Sequence, residues 1–299
     1  MMSEPFVYAL RLLLYVDLML LFGVPLFARS QRLGPLLGWR SWGLLLAICG
    51  LVMVLLDATL RLSTLLDIAP DALGVDDLAW FIGATSSGRA ALLRGAVLAL
   101  LLLLLLPRRQ HARQLLPQTA LAAIALASLA WNGHAGAGEY LQGWPRLSAG
   151  IIHLLAAGAW LGAIVALLGL LLRSQQAQQG ERAAALLVGL RGFALPGTII
   201  VALLAVTGSA SYLDMGGSLA SLTATTHGRW LSFKLALVAG MLLLAALHRW
   251  RLVPALAAAL QAKAANPSRA LRRSLTLEAS LALLVLACVA VLGTLDPTA

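Results

Sequence analysis

The chain has 299 residues, 61% of them hydrophobic and only 11% charged, with a mean hydropathy of +0.89. An ordinary soluble domain carries about 25% charge and about 45–50% apolar residues. The composition therefore excludes a water-soluble globule, a disordered chain, a collagen-like fibre and, with two cysteines, a disulfide scaffold. The net charge of +10 would point to nucleic acid in a soluble protein, but its placement along the chain excludes that partner.

A membrane span needs about 20 apolar residues. Eight runs qualify in chain order: Phe6–Phe27, Gly43–Leu65, Arg89–Leu106, Leu115–Trp131, Leu147–Leu172, Phe193–Tyr212, Trp230–Leu247 and Leu275–Leu295. They predict an all-α polytopic helical bundle forming a single transmembrane domain over 1–299. The first run is not read as a cleaved signal peptide, because Glu4 and no base precedes it before Arg11. No internal repeat is evident.

Connections after the odd spans carry Arg29, Arg32, Arg40, Arg108, Arg109, Arg113, Arg173, Arg182, Arg191, Arg249, Arg251, Lys263, Arg269, Arg272 and Arg273. Those after the even spans carry Arg89, Arg146 and Arg229, with Asp67, Asp71, Asp76, Asp77, Glu139 and Asp214. Basic residues stay cytoplasmic. This predicts both termini periplasmic in a bacterial inner membrane, with the acidic second connection facing outward.

Polar residues inside the spans are the chemical candidates, because they are costly there and face a partner or a cavity. His153 lies about two turns inside the fifth span. Asp57 and Arg61 stand at i,i+4 and predict an ion pair. Asp17 has no local partner; it either pairs with Arg94 or Lys234 across the bundle or lines an ion path. Arg94 and Lys234 are expected to snorkel toward the outer interface. Glu278 and His248 predict either a polar site or a hydrogen bond near the cytoplasmic ends of the last two spans.

Trp160 is read as packing against neighbouring helices, and Gly158-x-x-x-Gly162 as a close helix contact. Cys49, Cys288, Met19, Met53 and Met241 lie within spans and could form a relay for a soft cation through the bundle, but core packing is the favoured reading, since Met is a routine gap-filler. His111 falls in an Arg-rich connection and is read as solvated.

The topology places His134, His153 and His227 on the outer side, with Met215 closing the sixth span on the same face. Imidazole and thioether are the ligand pair that suits copper(I) in an oxidising compartment. The candidate metal residues are therefore His134, His153, Met215 and His227. No phosphate-binding loop, nucleophile elbow, H-E-x-x-H or haem-attachment motif occurs, so an enzyme is not expected.

Three stretches carry a resemblance: Gly133-His134-Ala135, His153-Leu154-Leu155-Ala156-Ala157-Gly158-Ala159-Trp160-Leu161-Gly162, and Thr226-His227-Gly228-Arg229-Trp230-Leu231 continuing to Lys234 and, after Arg249, to Leu252-Val253-Pro254. With eight spans and outward termini, the chain resembles the CopD/PcoD copper-resistance membrane proteins. The resemblance implies an inner-membrane protein that moves copper ions from periplasm to cytoplasm, working with a periplasmic copper-binding protein of CopC type. It maps the family's histidine motifs onto His134 and His153. Two other readings are open from the residues: a b-type haem protein with axial histidines, and a membrane scaffold that passes periplasmic copper on without transport.

Overall fold

The computed structural model describes residues 4–33, 38–107, 114–132, 143–173, 179–218, 220–262 and 269–295. They form α1 Glu4–Ser30, α2 Trp39–Leu66, α3 Val75–Ala84, α4 Ser86–Leu105, α5 Leu115–Ala127, α6 Gly143–Arg173, α7 Gln179–Gly192, α8 Ala194–Asp214, α9 Ser221–Ala224, α10 Thr226–Leu247, α11 Val253–Gln261 and α12 Arg269–Leu292. A 3₁₀ turn, Ser128–Asn132, extends α5, and a π turn, His248–Leu252, joins α10 to α11. No strand occurs among the described residues. Seven helices are long and apolar enough to cross a membrane, and Leu115–Trp131 is a shorter eighth apolar segment.

Every run expected from hydropathy is helical, but the helices reach further. The fifth run begins four residues earlier at Gly143, and the seventh continues through the π turn to Gln261. The acidic second connection holds α3, and the connection before α8 holds α7. Each added turn satisfies backbone groups that a loop at the membrane surface would leave exposed.

The two central helices, α1 and α6, meet through glycine. A Cβ on Gly162 would collide with the Gly23 backbone, and one on Gly23 with the Gly158 carbonyl. The expected small-residue contact is thus made, with α1 as the partner. Arg11 Nη1 of α1 donates to Gly293 O at the end of α12 at 2.8 Å, so the start of α1 and the end of α12 lie on one face of the bundle, the chain-end face. On the opposite face Arg40 at the start of α2 donates to Leu105, Leu106 and Pro107 carbonyls at 2.6–3.1 Å, closing the end of α4.

The bundle is built from two copies of one four-helix plan. In the first half α1 packs on α2, α2 on α4, α4 on α5 and α5 back on α1; in the second α6 packs on α8, α10 on α12 and α12 back on α6. The local details repeat. Thr85 and Thr225, both extended, cap α4 and α10 by accepting from Gly88 N and Gly228 N, each at 2.9 Å. A Cβ on either glycine would strike a carbonyl of the short helix before it, Phe81 O or Ser221 O. Nine residues after each cap stands a basic residue, Arg94 and Lys234.

Helices α5 and α12 share a residue pattern at one offset. Leu115 and Leu275, Leu121 and Leu281, Ala122 and Ala282, Leu126 and Leu286, and Ala127 and Ala287 correspond at a constant offset, which also aligns Gln118 with Glu278 and Ser128 with Cys288. The repeat escapes a reading by hydropathy because every span is a Leu/Ala run.

The halves differ at the seam between their second and third long helices. In the first, α2 and α4 pack closely; in the second, α8 rests chiefly on α6 and α10 on α12, leaving a cleft between α8 and α10.

Candidate metal site

Two cavities occupy that cleft. The one toward the face with the chain ends has a volume of about 450 Å³ and is walled by Met19 of α1, His153 and Trp160 of α6, Ser209 and Tyr212 of α8, and Lys234 and Met241 of α10. The one toward the opposite face, about 420 Å³, is walled by Arg191, Thr198, His248, Arg249 and Glu278 among apolar residues. Trp160, Val201 and Leu242 belong to both walls.

In the first cavity His153 is held from across the cleft. Its Nδ1 lies 2.9 Å from Thr207 Oγ1 of α8. The Thr207 hydroxyl spends its one hydrogen on the Leu203 carbonyl, at 2.6 Å, the back-bond that Ser and Thr make inside helices. Thr207 must therefore accept, and the imidazole Nδ1–H must donate. That leaves Nε2 with its lone pair, the state a metal-ligating histidine needs, with its second nitrogen fixed by a hydrogen bond.

Of the other expected metal residues, Met215 caps α8 and is 39% exposed, and His227 is the second residue of α10; neither walls the cavity that holds His153. His134 lies outside the described residues, as do Glu139 and His111. Among the described residues no group of three or more His, Cys, Asp or Glu comes together. The structure instead brings Met19 and Met241 to the cavity of His153, two thioethers for which the sequence favours core packing over a cation relay. The ion pair between Arg146 and Asp214 ties the start of α6 to the end of α8 beside Met215.

The remaining polar residues resolve as follows. Asp57 and Arg61 form the expected pair at 2.8 Å. Arg94 does not snorkel: it is fully buried, and its Nε donates to Ser128 Oγ at 2.9 Å. Lys234 also turns inward, onto the cavity, with Cys288 as its electrostatic neighbour. Asp17 pairs with neither base; it is 3% exposed, and both its oxygens lack a hydrogen-bond partner among the described residues. Gly50 makes room for it, since a Cβ there would come within 2.6 Å of Oδ2.

Trp160 does more than pack. Its Nε1 donates to Glu278 Oε1 at 3.1 Å, while Glu278 Oε2 faces His248 Nδ1 at 3.3 Å and His248 Nε2 meets Ser274 Oγ at 2.8 Å.

The chain is 32% identical to "Copper resistance protein D" of Pseudomonas syringae pv. tomato over 305 aligned positions, covering 99% of this chain and 98% of that protein. It belongs to the copper resistance protein D family. The family description "Copper resistance protein D-like, N-terminal domain" matches residues 2–144, and "Copper resistance protein D" matches residues 187–292. No solved structure matches the chain. The all-α membrane bundle and the family together make this a copper-related, multi-pass membrane protein. The two matched regions fall in the first and second halves of the repeat, and His153 lies on α6 between them.

Proposed function

We propose that this protein takes up copper from the periplasm, across the inner membrane, and that His153 is the first ligand inside the bundle. The observation that carries the reading is the Thr207-oriented imidazole, whose unprotonated nitrogen belongs to a cavity wall shared with two methionine thioethers. Imidazole and thioether hold copper(I) well and need no thiolate, which an oxidising compartment would consume. Met215 and His227 gather ions at the outer mouth, joined by His134, which the charge topology assigns to the same side of the membrane. Copper is the cargo, and no reaction is performed on it.

Lys234 shares the cavity with His153 and repels a bound cation. Conduction requires a site that binds well enough to fill and weakly enough to empty, so a ligand beside a like charge suits passage better than storage. The flow is down a binding gradient.

A periplasmic copper-binding protein of CopC type delivers the ion. Asp71 and Asp76 are exposed next to the chain-end face and offer it negative charge. Asp77 is spoken for, since its Oδ2 accepts from Gly74 N at 2.8 Å and starts α3.

The test is cell-associated copper, by elemental analysis, in cells expressing wild type, His153→Ala or empty vector at matched protein levels. Wild type should accumulate copper and His153→Ala should fall to the vector level. Equal copper in wild type and a well-expressed His153→Ala would overturn the assignment.

A further inference from the structure

We propose that Glu278 is a second, inner cation-binding residue, with His248 as its co-ligand, and that Trp160 is the barrier between it and the His153 cavity. The inference rests on the copper-passage reading but makes its own claim about a binding site.

The charge lining the cleft is the first ground. Among the described residues Glu278 is the one carboxylate on the wall of either cavity; the other charged lining groups, Lys234, Arg191 and Arg249, are basic. A cation in the cleft therefore has one place where its charge is matched. A monovalent ion beside one ionised carboxylate is net neutral, which is what a low-dielectric site can tolerate.

The repeat is the second ground. Gln118 stands where the second half has Glu278. The closely packed half thus carries a neutral amide at the position where the cleft half carries a carboxylate. An ionisable residue inside a membrane is expensive, and only the half with cavities bears that cost at this position.

Ligand geometry is the third. Glu278 Oε2 and His248 Nδ1 face each other across 3.3 Å. The Ser274 hydroxyl at His248 Nε2 can donate or accept, so the ring can carry its proton on Nε2 and leave the Nδ1 lone pair to the ion. His248 opens a π turn, an irregularity that recurs at functional sites. Glu278 Oε1 meanwhile holds the indole N–H of Trp160, the residue common to both cavity walls. A cation drawing on the carboxylate weakens that latch.

Copper(I) binding to the purified full-length chain in detergent, by competition with a chromophoric copper(I) chelator, tests the site. Glu278→Gln keeps an acceptor for Trp160 and removes the charge, so it should fold and lose at least 10-fold in affinity at one site while the His153 site titrates normally. His153→Ala should show the converse. Gln118→Ala, at the matching position of the other half, should bind as wild type. Identical titrations for Glu278→Gln and wild type would overturn the assignment.

Silver(I) or copper(I) uptake into proteoliposomes reads the passage separately. Wild-type vesicles that stay empty while the Glu278 site still titrates would sink the uptake reading and leave this site standing. Trp160→Phe, which keeps an aromatic ring without the N–H, should fill vesicles severalfold faster; an unchanged rate would remove Trp160 as the barrier.

Discussion

At the scale of single residues, the proposed metal-ligand role of His153 depends on a hydroxyl 54 positions away. Thr207→Val keeps the shape of the side chain and deletes the acceptor for Nδ1–H. Copper(I) affinity at the His153 site should fall by about 10-fold or more, the usual scale for losing such an orienting partner, and Thr207→Ser should restore it. Chelator competition reads both, and an unchanged Thr207→Val would show that the ring needs no orientation from α8. His153 itself is legible in the sequence, because an imidazole in an apolar run is costly enough to demand a purpose. Thr207 is not, because a threonine satisfies itself by bonding back to its own helix and leaves no unmet polar group to notice. Met19 and Met241 are legible only as one option beside core packing for a related reason: a thioether costs nothing in a core, so only the cavity distinguishes a candidate ligand from a gap-filler.

At the scale of helices, the bundle's central contact between α1 and α6 leaves no room for a side chain. At Gly162 the Gly23 backbone occupies the space of a Cβ, whereas at Gly169, two turns along the same helix, nothing lies within 4 Å. Gly162→Ala should destabilise the protein by about 1–3 kcal/mol, the range for overpacking, and Gly169→Ala should be neutral or slightly stabilising. Thermal melting in detergent with a fluorescent thiol or scattering readout distinguishes the two; equal midpoints would mean that α1 and α6 slide apart at no cost. The Gly158-x-x-x-Gly162 spacing predicts that some backbone approaches, but the identity of the partner is a matter of topology. The same holds for Arg94. Its distance from the span end is compatible with snorkelling, and its inward turn depends on groups of neighbouring helices, the Ser128 hydroxyl that accepts from it and the Asp57 carboxylate nearby.

For the whole molecule, the alternation of basic and acidic connections gives an orientation that can be measured directly. With Cys49→Ala and Cys288→Ser in place, single cysteines introduced at Asp76 and Arg251, both exposed, report opposite faces. A membrane-impermeant maleimide should label Asp76→Cys in intact spheroplasts and Arg251→Cys only after permeabilisation. The reverse pattern would invert the assignment of both termini to the periplasm. The four-plus-four repeat adds a constraint, since an even number of crossings per half puts the two copies in the membrane with the same orientation, as in parallel-repeat transporters. One copy has closed its α2–α4 seam, and the other has opened the matching seam into the two cavities.

Composition and hydropathy by themselves determine that this chain is a helical membrane bundle, because the cost of an unsatisfied backbone in lipid leaves apolar runs of this length no other fold. Charge placement determines which loops lie together, and the cost of an ionisable group in hydrocarbon singles out Asp17, Asp57, His153 and Glu278 as residues needing an explanation. Asp57 finds Arg61 one turn along its own helix, as the spacing predicts; for the others tertiary structure decides. Helix order in space leaves Asp17 against Gly50 and sets His153 and Glu278 on either side of Trp160. A one-dimensional pattern records how polar a position is, but not which of several equally apolar helices stands opposite it, and that choice separates a structural hydrogen bond from a path for an ion.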